Sequence, residues 1–348
     1  MTQGMELDTG HLQGGGRAGI APGNESGRSE VGRKEIRDFG FLLLPRFSLL
    51  AFTSAVEPMR SANRLAGQRL YDWRLISRTG GPVASSGGIE VMTQAAISDV
   101  DRIPDLFVVA GLDAQTFDDR AILSWLRRLE RVGCRLGALT TGSYILARAG
   151  LLDGYRCTIH WENLAGFRED FPGIDATTEV YEIDRNRMTC SGGTAAMDLM
   201  LGLIAADHGR ALAIAVADQF IHERIRAPSE PQRMGLRNRL GITQPKLLAA
   251  IERMEDNLEE PLSRRVLAAH TGVSTRQLER LFRKYLRRTP TRYYLELRLD
   301  RARGLLTQTA MSVLDVALAC GFVSASHFSK CYREFFGKTP REERAPRR

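Results

Sequence analysis

The chain reads as an α/β protein with a doubly wound, mostly parallel sheet, followed by an all-α region holding two tandem helix-turn-helix units. Three observations predict this. Short apolar runs alternate with amphipathic stretches from Phe39 to Arg224, and strands alternating with helices imply a parallel sheet covered on both faces. From Pro245 onward only helical periodicity remains. The positive charge is also confined to that end. Residues 245–348 hold 21 Lys+Arg against 12 Asp+Glu, a net of +9, whereas residues 1–244 hold 28 against 29, a net of −1. A localised basic surplus points to a polyanionic partner.

At 348 residues the chain exceeds one ordinary core, so two domains are expected. Its 43% hydrophobic and 26% charged residues are those of a globular protein. Residues 1–34 form a Gly-, Ser- and Arg-rich tail, expected to be disordered, without the apolar core of a signal peptide. The most apolar stretch, Phe41 to Val56, is interrupted by Pro45, Arg46 and Ser48 and cannot span a membrane. Five cysteines (Cys134, Cys157, Cys190, Cys320, Cys331) are odd in number and lack CxxC spacing. They fit reduced thiols in the cytoplasm better than a disulfide framework or a zinc site. No metal and no cofactor is expected.

In order, Phe39–Leu44 predicts a buried strand and Leu49–Leu65 a helix; Tyr71–Ser77 and Ile89–Met92 predict short strands. Asp105–Gly111 is a second buried strand, followed by a helix around Asp118–Arg131. Arg135–Leu139 is a third, running into the turn Thr140-Thr141-Gly142 and a helix to Ala149. Glu179–Ile183 and Met188–Ser191 flank the turn Asp184-Arg185-Asn186, ahead of helices Gly193–His208 and Gly209–Arg224. The polar stretch from Arg226 to Gln244, with Pro228, Pro231 and Gly241, reads as a linker. The expected division is therefore 1–34 tail, 35–226 α/β sensing domain, 227–244 linker and 245–348 DNA-binding domain.

In the C-terminal region, Val266, Leu267 and Ala268 belong to a helix ending near Gly272, which supplies the left-handed corner of a tight turn. Ser274 N-caps the next helix. Leu278, Leu281, Phe282 and Tyr285 share its inward face, and Thr275, Arg276, Glu279, Arg280 and Arg283 share the other. Long donors on the free face of a packed helix suit reading of the DNA major groove. The device recurs fifty residues on, with Val313, Val316 and Ala317, then Gly321, then Ser324 as cap. Here Phe328, Tyr332 and Phe335 face inward, and Ala325, Ser326, Ser329 and Lys330 outward. The Leu- and Arg-rich helix Thr291–Leu306 links the two units, so two reading helices on one body could enter successive major grooves.

These residues carry a resemblance. LAAHTGVSTRQLERLF, YYLELRLDRARGLL and VALACGFVSASHFSKCYREFFGKTP resemble the AraC/XylS-type regulator domain. The resemblance implies base contacts from Arg276, Glu279 and Arg280 and from Ala325, Ser326, Ser329 and Lys330. Arg287 stands where that family commonly has Gly, so the first reading helix is expected to end differently, and the REERAPRR ending departs from the family pattern.

Upstream, the strand–turn–helix at Thr140 together with LARAGLLDGYRCTIHW resembles the DJ-1/PfpI fold, in the version fused to AraC-type domains. Ligands in doubly wound sheets bind at the carboxyl ends of strands, near helix N-termini. Many members of that superfamily hold a nucleophilic Cys at this elbow, with a Glu and often a His. Here Glu57 matches the Glu, His160 lies near the His position, and Thr140 replaces the nucleophile. A Thr hydroxyl without a strong base is a poor nucleophile, so a non-enzymatic pocket of Glu57, Thr140, Thr141, His160 and Trp161 is expected. The stretches FLLLPRFSLLAFTSAVEPMRSANRLAG and MTCSGGTAAMDLML resemble regulators of glycine betaine and dimethylglycine catabolism. That implies a betaine, carnitine or amino-acid-derived effector, with Trp161 and Glu57 receiving a cation. The reading is a ligand-responsive transcriptional activator with DNA, an effector and RNA polymerase as partners, and a homodimeric state. The alternatives are a hydrolase or glyoxalase-like enzyme fused to a DNA-binding domain, and a ligand-independent DNA-binding dimer.

Overall fold

The computed structural model describes residues 36–344; the tail expected over residues 1–34 and the extreme C-terminus lie outside them. Strand β1 (Arg37–Leu43) leads to helix α1 (Leu49–Ala66), β2 (Tyr71–Ser77), the hairpin β3 (Gly81–Ala84) and β4 (Glu90–Thr93), and β5 (Ala95–Ala96). Next come β6 (Asp105–Val109), α2 (Arg120–Arg131), β7 (Arg135–Leu139), α3 (Gly142–Arg148), β8 (Arg156–Thr158) and α4 (Trp161–Asp170). The α/β region ends with β9 (Asp175–Thr177), β10 (Tyr181–Asp184), β11 (Arg187–Cys190), α5 (Ala195–His208) and α6 (Arg210–Gln219).

The main sheet has the order β10-β11-β7-β6-β1-β2-β5, parallel throughout except for the β10–β11 hairpin. Alternation along the strands fills two cores. Phe39, Phe41 and Leu43 of β1 and Phe107 and Val109 of β6 pack under α1, α5 and α6. Leu42, Leu106 and Val108 face α2, α3 and α4. The doubly wound expectation holds. The chain steps from β1 outward to β2 on one side and returns to β6 on the other, so the topological switch point lies between β1 and β6.

One expected strand lies apart from the main sheet, and one expected helix end is corrected. The strand expected at Ile89–Met92 pairs only with β3, outside the main sheet, and leaves Met92 exposed. The last helix of the α/β region stops at Gln219, not Arg224, because Ile221 adopts a left-handed conformation (φ 54) that no helix continues through. Helix α4 and strands β8 and β9 had no counterpart in the sequence reading.

Gly142 opens α3 where a β-carbon would overlap the Val108 carbonyl oxygen. The neighbour is strand backbone and cannot swing aside. Gly142→Ala should therefore cost about 1–3 kcal/mol, read as a lower urea midpoint of the full chain.

Eight helices complete the described residues: α7 (Leu236–Leu240), α8 (Pro245–Glu255), α9 (Arg264–His270), α10 (Thr275–Leu286), α11 (Pro290–Gln308), α12 (Val313–Ala319), α13 (Ala325–Phe336) and α14 (Pro340–Arg344). Leu247, Ile251, Leu267, Leu278 and Phe282 form one core with Tyr293 and Tyr294 from the start of α11. Leu299, Ala302, Leu305 and Leu306 from the rest of α11 form a second with Val316, Phe328 and Tyr332. The linking helix is thus a spine common to both units. Part of the stretch expected as linker is α7, whose Leu236 and Leu240 pack on the first core while Arg239 pairs with Glu255 at 2.9 Å.

Candidate DNA-reading helices and effector site

Ser274 caps α10 in a capping box with Gln277, and Ser324 caps α13 by accepting from the His327 N–H. Gly272 and Gly321, both at positive φ, make the two corners. The free face of α10 carries Thr275, Arg276, Arg280 and Arg283, all exposed, and Glu279, half-buried and paired with Arg283 at 3.0 Å. On α13, Ser326 and Lys330 are exposed and Ala325 and Ser329 half-buried. Tyr285, expected inward, is exposed beside Lys284, and Leu281 is half-buried. Leu278 and Phe282 alone are fully buried on α10, which leaves a wider polar face than the spacing suggested. Arg287 does not end this helix differently. It caps α10 in the left-handed conformation (φ 57) with its N–H on the Arg283 carbonyl, as Gly337 caps α13.

The elbow follows β7. Thr140 sits at φ 64, a strained position for a β-branched residue. Its N–H donates to the Cys190 carbonyl at 2.9 Å, and its own carbonyl accepts from the His160 N–H at 3.2 Å. The Thr141 hydroxyl donates to the Gly111 carbonyl at 2.6 Å. These bonds tie the elbow to the ends of β11, β8 and β6. The Thr140 hydroxyl oxygen is buried without a partner, facing Gly192, where a β-carbon would collide with it.

His160 N-caps α4: its Nδ1 accepts from the Glu162 N–H at 3.4 Å, and burial lowers its pKa, which favours the neutral ring needed to accept. Trp161 is 41% exposed, with the Arg233 guanidinium 4.4 Å over its ring. Thr140, Thr141, His160 and Trp161 therefore lie along one path from the elbow into α4. Glu57 stands on another element. It sits in the middle of α1, half-exposed, and pairs with Arg60 at 2.7 Å.

A cavity of about 310 Å³ lies instead near the switch point. Leu43, Leu44, Pro45, Val83, Phe117 and Ile122 supply apolar walls. Arg78 and Asp119, paired at 3.0 Å, supply charge. Asp119 also caps α2 through the Ala121 and Ile122 N–H groups. The sequence reading missed Arg78, Asp119, Gln232 and Arg233. A polar stretch rich in Pro signals a loop, and nothing in it reveals what the loop docks on.

Burial pushes the thiols of Cys134, Cys157, Cys190 and Cys320 up to about 12, which leaves them protonated and unreactive. Among the described residues no cluster of His, Cys, Asp or Glu could hold a metal ion, and no helix is long and apolar enough to cross a membrane.

A doubly wound domain joined to paired helix-turn-helix units on one spine defines a DNA-binding transcription regulator with an α/β appendage. Comparison with known proteins agrees. The DJ-1/PfpI family profile matches residues 43–206, and a helix-turn-helix domain profile matches residues 267–345. The HTH-type transcriptional regulator GbdR of Pseudomonas aeruginosa is 49% identical over 326 residues, covering 94% of this chain and 86% of its own length. CdhR from the same species, also an HTH-type transcriptional regulator, is 48% identical over 309 residues, 89% of this chain and 92% of its own. A solved ThiJ/PfpI family protein from Pseudomonas syringae superposes with a TM-score of 0.50 at 19% identity, over 72% of this chain and 94% of that one, which bears on the fold alone. The chain belongs to the AraC-type transcriptional regulators that carry a DJ-1/PfpI domain.

Proposed function

We propose that the chain is a cytoplasmic, homodimeric transcriptional activator whose α/β region binds a small metabolite without transforming it. In this reading Thr275, Arg276, Glu279, Arg280 and Arg283 contact one major groove, and Ala325, Ser326, Ser329 and Lys330 a second. The operator-bound protein then engages RNA polymerase. The effector is a betaine, carnitine or amino-acid derivative held at Thr140, Thr141, His160 and Trp161; Glu57 stands apart from this set. Residues 35–226 sense, and the helices from α7 onward bind DNA.

The observation that carries the reading is the course of α4. It begins at His160 beside the elbow and packs along α11, the spine of both reading units. Catalysis is disfavoured because the elbow offers a buried hydroxyl with no base, and the buried thiols are protonated. The cavity near the switch point supports a second placement of the effector, with a carboxylate on Arg78.

A reporter dose–response with operator binding measured in parallel tests both placements. Thr140→Leu should abolish induction while operator binding stays intact, and Thr140→Ser, which keeps the hydroxyl, should remain inducible. Normal induction in Thr140→Leu together with loss in Arg78→Gln would move the effector to the switch-point cavity. Normal induction in both would remove the α/β region from sensing.

A further inference from the structure

The segment joining the α/β region to α7 is strapped down along the sensor. Asp198, fully buried, accepts from the Arg226 N–H at 2.8 Å and from its guanidinium, and also contacts the His222 ring at 2.9 Å. The Val180 N–H donates to the Glu230 carbonyl at 3.0 Å, and Pro231 bridges Glu179. The Gln232 amide nitrogen then reaches into the sensor. It lies 2.9 Å from each of the Thr158 hydroxyl and the Ile159 and Glu179 carbonyls, immediately before His160. Its oxygen is buried with no partner.

Next in the strap is Arg233, whose guanidinium lies on the Trp161 ring. One residue later the chain begins to turn into α7, with Gly235 as N-cap. A single side chain of the strap therefore occupies the aromatic face where the path from the elbow ends.

We infer that Arg233 is the resident cation of an aromatic site on Trp161, and that an effector bearing an organic cation takes its place and releases the strap. This rests on the elbow region being the sensing site. The contact suits exchange. Cation–π pairs at exposed positions are weak, and Arg233 lies at the surface. A displaced guanidinium regains water, whereas a poorly hydrated organic cation gains the ring. Glu162, next to Trp161, adds negative charge beside the face. The unpartnered Gln232 oxygen leaves the strap short of one hydrogen bond, so its docked state is easier to leave than a fully satisfied one. Release frees the approach to α7, which packs on the core of the first reading unit.

The test uses the full chain with two probes, tetramethylammonium and methylguanidinium, and titration calorimetry. Removing the resident competitor in Arg233→Ala should tighten binding of at least one probe by about 3- to 30-fold, the worth of one cation–π contact. Arg233→Lys should fall between that variant and wild type, and Trp161→Ala/Arg233→Ala should bind neither probe. In the wild type, saturating probe should speed tryptic cleavage after Arg233 about tenfold. Equal affinity in wild type and Arg233→Ala, probe binding without faster cleavage, or no binding of either probe to any variant would each overturn the proposal. If the reporter still responds to a metabolite in a Thr140-dependent way in those cases, the elbow reading survives without the strap. The better-binding probe distinguishes a quaternary ammonium effector from a guanidinium one.

Discussion

Arg280→Ala is expected to weaken binding to the cognate operator by about 1–3 kcal/mol, roughly 5- to 150-fold, and to affect scrambled DNA far less. The expectation follows from how α10 is held. Leu278 and Phe282 are fully buried and the capping box fixes the N-terminus, so the outer face presents its side chains in one orientation. Arg280 is exposed there, and among the described residues it makes no ion pair, so both edges of its guanidinium are available for a guanine. Arg283 is on the same helix, but its partner Glu279 must first be released. Lys338 is the contrast. It bonds Glu343, a nearly fully buried carboxylate that also receives Arg303 and the Tyr332 hydroxyl. Lys338→Ala should lower stability at the α11–α13–α14 junction and leave sequence preference unchanged. Fluorescence anisotropy on both DNAs at one fixed salt concentration separates the two variants, because salt alone shifts phosphate-driven affinity. If Arg280→Ala lost equally on operator and scrambled DNA, the reading face would have to be reassigned.

What could be read in the sequence was what periodicity and local chemistry encode. Buried parallel strands announced themselves as apolar runs such as FGFLLL and DLFVV. The helix-turn-helix corners were legible because Gly272 and Gly321 precede the Ser caps by two and three residues. Arg287 shows the limit of residue preference: an arginine accepts the left-handed cap that glycine usually takes, because the Arg283 carbonyl and the following Thr289 cap hold the chain there. Helix α4 escaped notice for a different reason. Its buried positions Leu164, Gly166 and Phe167 are too few to make a stripe, and its other neighbour is α11, more than a hundred residues away. Glu57 was assigned to the elbow by resemblance, but a helix periodicity places it beside Arg60 on an outer face. The strap was invisible because long-range docking of Gln232 and Arg233 leaves no periodic trace.

Gly166→Val is expected to leave operator binding intact and remove the effector dependence of transcription. Gly166 is buried in α4 at the point where the helix meets the end of α11. A β-carbon there would lie 3.0 Å from the Thr309 methyl, 3.2 Å from the Tyr144 hydroxyl and 3.4 Å from Gln308 Cβ. Tyr144 belongs to α3, which springs from the elbow, and its ring packs on Phe167 and Phe171. One α-carbon thus touches the elbow helix and the spine of the reading units together. Alanine asks its neighbours to yield by a few tenths of an ångström. Valine adds two methyl groups and must prise α4 from α11. The reading helices pack on α11 through Phe282, Tyr293, Leu299, Phe328 and Tyr332, whereas the atoms nearest a β-carbon on Gly166 belong to Thr309, Tyr144 and Gln308, so DNA affinity should persist. Coupling between sites typically amounts to about 1–3 kcal/mol, a 5- to 150-fold effect, and the valine should erase it while the alanine erodes it partly. A reporter dose–response gives the coupling and anisotropy on operator DNA gives the affinity. Full induction in Gly166→Val with the fold intact would mean that the signal leaves the elbow by another route, of which the strap is the first to test.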